Sequence, residues 1–370
     1  MREFINGSEA IVRGAIDAGC NFFAGYPITP ATPILLTMIR ELPKVGGVAI
    51  QAEDEIASMG FCIGAVMAGA RAMTATSGPG ISLYSENIGA AIMGEVPLVI
   101  IDCQRLGPAT GGATSVGQDD IQFLRWGTSG GYPVIVLCPS SVAECYSLTR
   151  RAFDLAERFR LPVFLATDKE MVSTSTTVDT QALSQVPVRE RNIAPQNAEF
   201  VPYRLKEPSE VPAMSPLGGP HLVRFSTSSH DERGYLTKDP QAVGPILRHL
   251  AAKVDQHVDE IAWVEADLQD GADTLLVSYG ITARSVYAAV RTARQEGFKL
   301  SALTVQSLWP VPERSLLAAM DGMRRIIVAE LNLGQYRREI ERLAKNGQEV
   351  IGVHRLDGSL ISPSEILEKV

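Results

Sequence analysis

The sequence predicts an α/β protein built on parallel sheets, in which a larger domain precedes a smaller one. Short apolar runs alternate with longer segments, several of which have helical periodicity, and this pattern is interrupted in the middle of the chain. Such alternation is typical of parallel sheets covered by helices. With 370 residues, of which 45% are hydrophobic, the chain is long enough for about two domains and a sizeable core.

Six apolar runs place the first domain at residues 1–170. They read NFFAGY, VGGVAI, RAMTAT, VPLVIID, YPVIVLC and LPVFLATD. Ser141 and Glu144, after the fifth run, have the spacing of a helix capping box, which predicts that a helix begins there. Residues 171–262 largely lose the alternation and are rich in proline and polar side chains. This composition predicts an irregular linker that packs along a partner or carries small hairpins.

The alternation returns over residues 263–370, in the runs TLLVSYG, LSALTVQSL, RRIIVAEL and EVIGVHRL. Most of these runs are followed by a helix-like segment. The last one precedes Ser362-Pro-Ser-Glu365, a second capping box with proline at the first helical position. A second, smaller α/β domain is therefore predicted at this end of the chain.

Charge and hydropathy exclude several classes of protein. The net charge is −8 and there is no basic run, so a nucleic-acid-binding or anionic-membrane-binding surface is not expected. Prolines, glycines and polar residues interrupt every apolar stretch that approaches the length of a membrane span, and the first residues do not form a signal peptide. We expect a cytoplasmic protein that binds small molecules and other proteins.

Metal and nucleophile motifs are also missing from the sequence. The five cysteines include no C-x-x-C, and the five histidines include no H-E-x-x-H. An iron–sulfur cluster or a histidine-rich metal site held by this chain alone is therefore not expected. Residues 127–131 match G-x-S-x-G, but the predicted strand follows this stretch rather than preceding it, which argues against a serine hydrolase.

Three adjacent acids stand at the entrance of an apolar segment. Glu53, Asp54 and Glu55 precede a stretch from Ile56 to Ala70 that contains no charge. Acids at a helix start offset the helix dipole, but three successive acids point in three directions and cannot all face water on a buried helix. Positions three and four residues along from Glu55 form a nearly apolar stripe, made of Ser58, Met59, Cys62 and Val66. Glu55 is therefore the candidate for an inward-facing carboxyl, and helix capping is the alternative.

Polar side chains and turns follow the predicted strands at the edge where open α/β sheets bind ligands. Tyr26-Pro-Ile-Thr-Pro30 follows the first strand, and its prolines fix a turn that holds the Thr29 hydroxyl. Arg105 follows the fourth strand, where a solvated loop cation is the alternative interpretation. The turn 76–80 closes the third strand and has two glycines, which allow the backbone to approach a ligand.

Several motifs resemble those of one known family. YPITP, EDEIAS, TATSGPG, EVPLVI and QRLGP followed by TG occur in this order, and HDERGYLTKDP, LTVQSLWPVP and VAELNLGQ come after them. Together they resemble the alpha subunit of the 2-oxoacid:ferredoxin oxidoreductases, most closely the 2-oxoglutarate type, over nearly the whole chain. The resemblance implies a thiamine-diphosphate-binding pyrimidine domain, followed by a transketolase C-terminal-like domain.

The resemblance also implies cofactors and partners. Thiamine diphosphate would be shared with a beta subunit, which would hold Mg²⁺ and a [4Fe–4S] cluster. The enzyme would convert 2-oxoglutarate and coenzyme A to succinyl-CoA and CO2 in anaerobic metabolism, with ferredoxin as the electron acceptor. We expect this subunit to lack the gamma domain that is fused in some relatives. Both separate gamma and delta subunits and a minimal alpha–beta enzyme are then open.

Three side chains match catalytic positions of the family. The resemblance implies that Glu55 hydrogen-bonds N1′ of the cofactor's aminopyrimidine, and that Thr29 and Arg105 hold the carboxylate and carbonyl of the 2-oxoacid. Further cofactor contacts are expected from the same loops, at Tyr26, Pro27, Ile28, Ser77 and Gly78.

Two positions depart from the family pattern near the expected entrance of the substrate-binding site. Ala31 and Ala109 stand where serine is common. For this reason pyruvate or a branched-chain 2-oxoacid is kept as an alternative substrate. A non-catalytic scaffold subunit is the alternative from another class, against which the intact Thr29, Glu55 and Arg105 argue.

Overall fold

The computed structural model describes residues 2–179, 183 and 187–370. The elements of the first part of the chain, in order, are β1 (Arg2–Asn6), α1 (Gly7–Asp17), β2 (Phe22–Gly25), α2 (Thr32–Glu41), β3 (Val48–Gln51), α3 (Glu55–Met67), β4 (Ala72–Thr76), α4 (Gly78–Leu83), α5 (Ser85–Met93), β5 (Leu98–Gln104), α6 (Ile121–Trp126), β6 (Ile135–Leu137), α7 (Val142–Phe159), β7 (Pro162–Asp168), α8 (Lys169–Ser173) and β8 (Ser175–Asp179).

The remaining elements begin with two helices, α9 (Pro240–Asp255) and α10 (Val258–Ile261). The second domain then contains β9 (Val264–Asp267), β10 (Thr274–Ser278), α11 (Thr282–Gln295), β11 (Ser301–Val305), β12 (Ser307–Trp309), α12 (Glu313–Met320), β13 (Arg325–Glu330), α13 (Arg337–Leu343), β14 (Glu349–His354) and α14 (Pro363–Leu367).

The larger sheet has seven strands in the order β12-β6-β7-β5-β4-β2-β3. Strands β2 to β7 are parallel, and β12 joins β6 in antiparallel orientation. Every residue of β4, β5 and β7 is buried, because helices cover both faces of this sheet. The six apolar runs of the first domain coincide with β2 to β7, as the alternation predicted.

The smaller sheet has five strands in the order β14-β13-β10-β11-β9, parallel except for β9. The second domain is also tied to the first, since it supplies β12 to the larger sheet. Gln118 extends this contact: its Oε1 accepts a hydrogen bond of 3.0 Å from the backbone N of Leu331, and its backbone oxygen accepts one of 2.7 Å from Asn332. The two domains therefore pack as one unit around residues 118 and 331–332.

The predicted helix starts are present. Ser141 precedes α7 and its hydroxyl accepts the backbone N–H of Glu144. The Glu144 carboxylate accepts from the backbone N of Ser140 rather than from Ser141, so the capping box is shifted by one residue on that side. Ser362 and Glu365 form a complete capping box at α14.

The region predicted as an irregular linker contains strand β8 and a helix of 16 residues, α9. The helical pattern is hard to recognise in the sequence because Pro245 lies inside it and its buried face includes polar side chains. Two of these, His249 and Lys253, contact the Glu95 carboxylate at 2.8 Å each. The helix is thus held to the first domain by charge as well as by apolar contacts.

No helix in the part of the chain that the structure describes is long and apolar enough to cross a membrane. All five cysteines are free and buried, in keeping with their positions in apolar runs.

Candidate active site

Four loops meet at the carboxyl ends of the neighbouring parallel strands β5, β4, β2 and β3. They carry every side chain that the sequence analysis selected. The β2 loop holds residues 26–30, the β3 loop leads into α3, the β4 loop leads into α4, and Arg105 follows β5 directly. This is the edge at which open α/β sheets bind ligands.

The three acids before α3 point in different directions. Glu53 and Asp54 are exposed, whereas Glu55 is only 7% exposed. Asp54 is the N-cap of α3, and its Oδ1 accepts a hydrogen bond of 2.7 Å from the backbone N of Ala57. The capping role therefore belongs to Asp54, and Glu55 is the acid that faces inward. The stripe beneath it is buried as predicted, at Ser58, Met59, Cys62 and Val66.

The Glu55 side chain packs against the turn that follows β4. A Cβ on Gly80 would lie 3.0 Å from Oε1 of Glu55 and 1.9 Å from Oγ1 of Thr76. Only glycine fits at position 80, because any side chain there would displace both neighbours. The hydroxyls of Thr76 and Ser77 beside it are buried without a hydrogen-bond partner among the described residues. Polar groups are thus left without protein partners at this point.

Arg105 and Thr29 are in direct contact. Nη1 of Arg105 donates a hydrogen bond of 2.5 Å to the backbone oxygen of Thr29, and Nη2 donates one of 2.9 Å to the backbone oxygen of Thr110. Arg105 is 5% exposed, and its Nε is buried without a partner. Within the described residues it forms no ion pair with a carboxylate. A buried guanidinium with unused donors and no carboxylate in direct contact is suited to bind an anion.

The other predicted contacts lie on the same loops. Tyr26, Pro27 and the Thr29 side chain are exposed, and Ile28 is half-buried. Ser77 is the N-cap residue of α4, which begins at Gly78. The predicted site residues therefore lie in two groups, one around Glu55 and Gly80 and the other around Arg105 and Thr29.

A cleft of about 490 Å³ opens beside Arg105. The β5 loop and the start of α4 form one side of it, and the second domain forms the other with Leu333, Gln335 and Leu356. A larger cleft of about 850 Å³, lined by Trp126 and Trp309 among others, contains none of the predicted site residues.

Comparison with known proteins assigns the family. Residues 13–244 match the model of the thiamine-diphosphate-binding region of pyruvate flavodoxin/ferredoxin oxidoreductases, and residues 272–366 match core domain II of pyruvate:ferredoxin oxidoreductase. The 2-oxoglutarate synthase subunit KorA of Methanothermobacter marburgensis is 41% identical over 370 residues, which cover 99% of this chain and 98% of that protein. The chain belongs to the 2-oxoacid:ferredoxin oxidoreductase family, as an alpha subunit.

Solved structures agree with this assignment. The 2-oxoglutarate:ferredoxin oxidoreductase of Magnetococcus marinus, solved with 2-oxoglutarate, coenzyme A and succinyl-CoA bound, superposes with a TM-score of 0.94 at 31% identity. The match covers all of this chain and 64% of that one, so this alpha subunit spans about two thirds of its structural relative. A split-gene transketolase shares the fold alone, with a TM-score of 0.55 at 12% identity over 98% of this chain. The predicted α/β fold with a transketolase-like second domain is confirmed.

Sequence reasoning missed two buried acids, Asp120 beside Arg105 and its neighbour Asp102. Asp102 is fully buried on β5, and neither of its carboxyl oxygens has a hydrogen-bond partner among the described residues. Asp120 lines the cleft beside Arg105, and its Oδ2 is likewise buried without a partner. The available signal for Asp102 was its position at the end of the otherwise apolar run VPLVIID.

The two departures from the family pattern occupy different environments. Ala31 is buried at the N-terminus of α2, whereas Ala109 is exposed and has a φ of 53°, in the left-handed region. Ala109 lines the cleft together with Pro108. Of the two, position 109 is the one that contacts the space available to a ligand.

No group of three or more His, Cys, Asp or Glu side chains that could hold a metal ion is found within residues 2–179, 183 and 187–370.

Proposed function

We propose that this chain is the catalytic alpha subunit of an enzyme that oxidises 2-oxoglutarate with coenzyme A to succinyl-CoA and CO2. The bond between C1 and C2 of the oxoacid breaks, a thioester forms at C2, and two electrons pass singly to ferredoxin. The observation that carries the proposal is the inward-facing Glu55, which is only 7% exposed at the ligand-binding edge of the sheet.

The residues around Glu55 fit the aminopyrimidine of thiamine diphosphate. An aminopyrimidine offers ring nitrogens and an amino group. The site offers the inward-facing Glu55 carboxyl, an unpaired Ser77 hydroxyl and a turn at Gly78 and Gly80 that leaves no side chain in the way. When bound, the cofactor supplies the carbanion that attacks the oxoacid carbonyl. Glu55 would share a proton with N1′ of the pyrimidine, and the apolar stripe beneath it would keep water from that proton.

Arg105 and Thr29 would orient the oxoacid. The guanidinium is fixed by two backbone oxygens, so its remaining donors are pre-oriented toward an incoming carboxylate. The Thr29 hydroxyl is exposed on the same loop, where it would donate to the carbonyl oxygen. We infer that Tyr26, Pro27 and Ile28 line the cofactor's other side.

A beta subunit would complete the site. Helix α3 has no charged side chain after Glu55, and yet Ile56 and Phe61 are about half exposed on its outer face. Gly60 and Gly64 lie on that face with no atom within 4 Å of a Cβ placed on them. A helix that is apolar all round is normally buried, so a partner is expected to cover it. That partner would hold Mg²⁺, the diphosphate and a [4Fe–4S] cluster.

The experiment that tests the proposal is an anaerobic assay of the tagged chain co-purified with its natural partners. Reduction of a viologen dye is followed with 2-oxoglutarate, pyruvate and a branched-chain 2-oxoacid, each with and without coenzyme A. We expect reduction that depends on 2-oxoglutarate and coenzyme A together. Dye reduction with pyruvate or the branched-chain 2-oxoacid, and not with 2-oxoglutarate, would overturn the proposed substrate. A purified complex that contains neither thiamine diphosphate nor iron would overturn the proposed reaction and favour a scaffold role.

A further inference from the structure

The Asp120 carboxyl lies beside Arg105 without forming an ion pair with it. A Cβ on Gly78 would lie 3.7 Å from Oδ2 and 3.8 Å from Oδ1 of Asp120, so this carboxyl is at the start of α4, on the wall of the cleft that Arg105 lines. The backbone N of Asp120 donates a hydrogen bond of 3.2 Å to Oε1 of Gln104, which fixes the residue next to the end of β5.

Asp120 and Asp102 form a pair of acids that both lack a neutralising cation in direct contact. Burial raises the pKa of Asp102 well above its ordinary value, and the charge of Asp120 raises it further. Burial likewise raises the pKa of Asp120 to about 7, Asp119 adds to the rise, and Arg105 opposes it. Two neighbouring carboxyls out of water cannot both ionise cheaply, so the pair retains a proton near neutral pH.

The charged groups that face Asp120 are few. From the end of β5 they are Arg105 and Asp102, and from its own loop the neighbouring Asp119. Helix α4 contributes no charged side chain, and the second domain contributes the uncharged Leu333 and Gln335 to this cleft. Among these groups Arg105 is the cation that favours the ionised form of Asp120, so the protonation of Asp120 responds to a change of charge at Arg105.

An ionised Asp120 would compete with a ligand carboxylate for the guanidinium, whereas a protonated Asp120 leaves the guanidinium available. Conversely, an anion that binds at Arg105 disfavours the ionised form of Asp120 and draws a proton onto it. Binding of the anion and binding of the proton are thus thermodynamically linked.

We propose that Asp120, backed by Asp102, is a positioning residue that takes up a proton when the carboxylate of the 2-oxoacid binds at Arg105. This inference rests on the proposed function, and it states that binding of the 2-oxoacid is accompanied by uptake of a proton at Asp120. The affinity of the complex for the 2-oxoacid then falls as pH rises above neutrality, while the turnover number at saturation is affected much less.

The test is calorimetric titration of 2-oxoglutarate into the complete complex carrying Glu55→Gln, which removes turnover, at pH 7.5. Repeating it in two buffers of different ionisation enthalpy gives the number of protons taken up. We expect net uptake of a fraction of a proton up to one. Adding Asp120→Asn is expected to abolish the uptake and preserve binding, and Glu53→Gln, at an exposed carboxyl on another loop, is expected to leave uptake unchanged.

Binding without proton uptake, or uptake that persists in the Asp120→Asn complex, would overturn the inference. If the Asp120→Asn chain fails to fold, the pH dependence of KM in the unmodified complex decides: we expect a rise approaching tenfold per pH unit above pH 8, and a flat KM would contradict the proposal. A complex with Asp120 intact that neither binds nor oxidises any 2-oxoacid would overturn the proposed function itself, and this inference with it.

Discussion

Nη1 of Arg105 donates a hydrogen bond of 2.5 Å to the backbone oxygen of Thr29, which joins the loops that follow β5 and β2. These residues are 76 positions apart in the sequence, and the parallel sheet brings them to one edge. The contact fixes the guanidinium before any ligand arrives. The loop after β2 is thus held by the same side chain that we propose to bind the oxoacid, so a change at Arg105 is expected to affect both the position of Thr29 and substrate affinity.

Gly80→Ala tests the packing between Glu55 and the turn after β4. The new Cβ would lie 1.9 Å from Oγ1 of Thr76 and 2.8 Å from Cγ of Glu55, so both side chains must move. We expect a loss of roughly 1–3 kcal/mol in the free energy of unfolding, as for overpacked cores, and a large loss of turnover. Chemical denaturation and the dye assay measure the two effects.

Gly60→Ala is the matched control for that change, because nothing lies within 4 Å of a Cβ at position 60. In the isolated chain it should raise the free energy of unfolding by up to about 1 kcal/mol, through helix propensity. Equal destabilisation by the two substitutions would show that the contact with Glu55 is not what limits position 80.

Gly64→Leu tests whether a partner covers the outer face of α3. The open space around Gly64 predicts that the isolated chain folds normally, while the added side chain should prevent a partner from packing closely. We expect co-purification with the beta subunit to fall strongly, as measured by size-exclusion chromatography. Gln295→Leu, which adds the same side chain at an exposed helical position in the second domain, should leave assembly intact. Full assembly of the Gly64→Leu chain would place the partner elsewhere.

Glu95→Gln tests the charged contacts that hold α9 to the first domain. Glu95 is 1% exposed and accepts hydrogen bonds of 2.8 Å from both His249 and Lys253. Removing one charge from such a buried cluster is expected to cost about 3–5 kcal/mol in the free energy of unfolding, because the ammonium is left uncompensated. Denaturant titration measures this loss. The control is Glu207→Gln, at an exposed acid, which should change the free energy of unfolding by less than about 0.5 kcal/mol.

The same cluster predicts a pH dependence of stability. Burial alone would raise the pKa of Glu95, but the charges of Lys253 and Arg160 and the hydrogen bond from His249 bring it well below its ordinary value near 4.5. The folded state therefore binds fewer protons here than the unfolded state, so the stabilisation is complete above about pH 4.5 and is lost as pH falls below it. The free energy of unfolding of the Glu95→Gln chain should therefore fall less steeply below about pH 4.5 than that of the unmodified chain, as measured by denaturant titration at several pH values.

Local patterns in the sequence were sufficient to predict the parallel strands of the two larger sheets, since continuous apolar runs such as VPLVIID are typical of buried parallel strands. The inward direction of Glu55 also followed from helical geometry, because three successive acids cannot share one face. The identity of the N-cap did not follow from the sequence alone, and the structure assigns it to Asp54.

Features that depend on distant contacts were not predictable in this way. Helix α9 is stabilised by Glu95, which lies more than 150 positions before His249 and Lys253, so its buried polar residues resembled a solvated segment. Asp102 and Asp120 are brought together only by the fold. Likewise, β12 belongs in sequence to the second domain and pairs with β6 of the first sheet.

The role of Glu55 is tested most directly by the turnover of the complete complex carrying Glu55→Gln, compared with Glu53→Gln. The first substitution keeps the size of a buried side chain but replaces its titratable carboxyl with an amide. The second changes an exposed acid whose effect on the helix end is worth roughly 0.3–1 kcal/mol. We expect the Glu55→Gln complex to assemble, to contain thiamine diphosphate and to show almost no dye reduction, while Glu53→Gln retains turnover. Wild-type turnover in the Glu55→Gln complex, or an equal loss in the Glu53→Gln complex, would contradict the assignment of the inward-facing carboxyl as the catalytic acid.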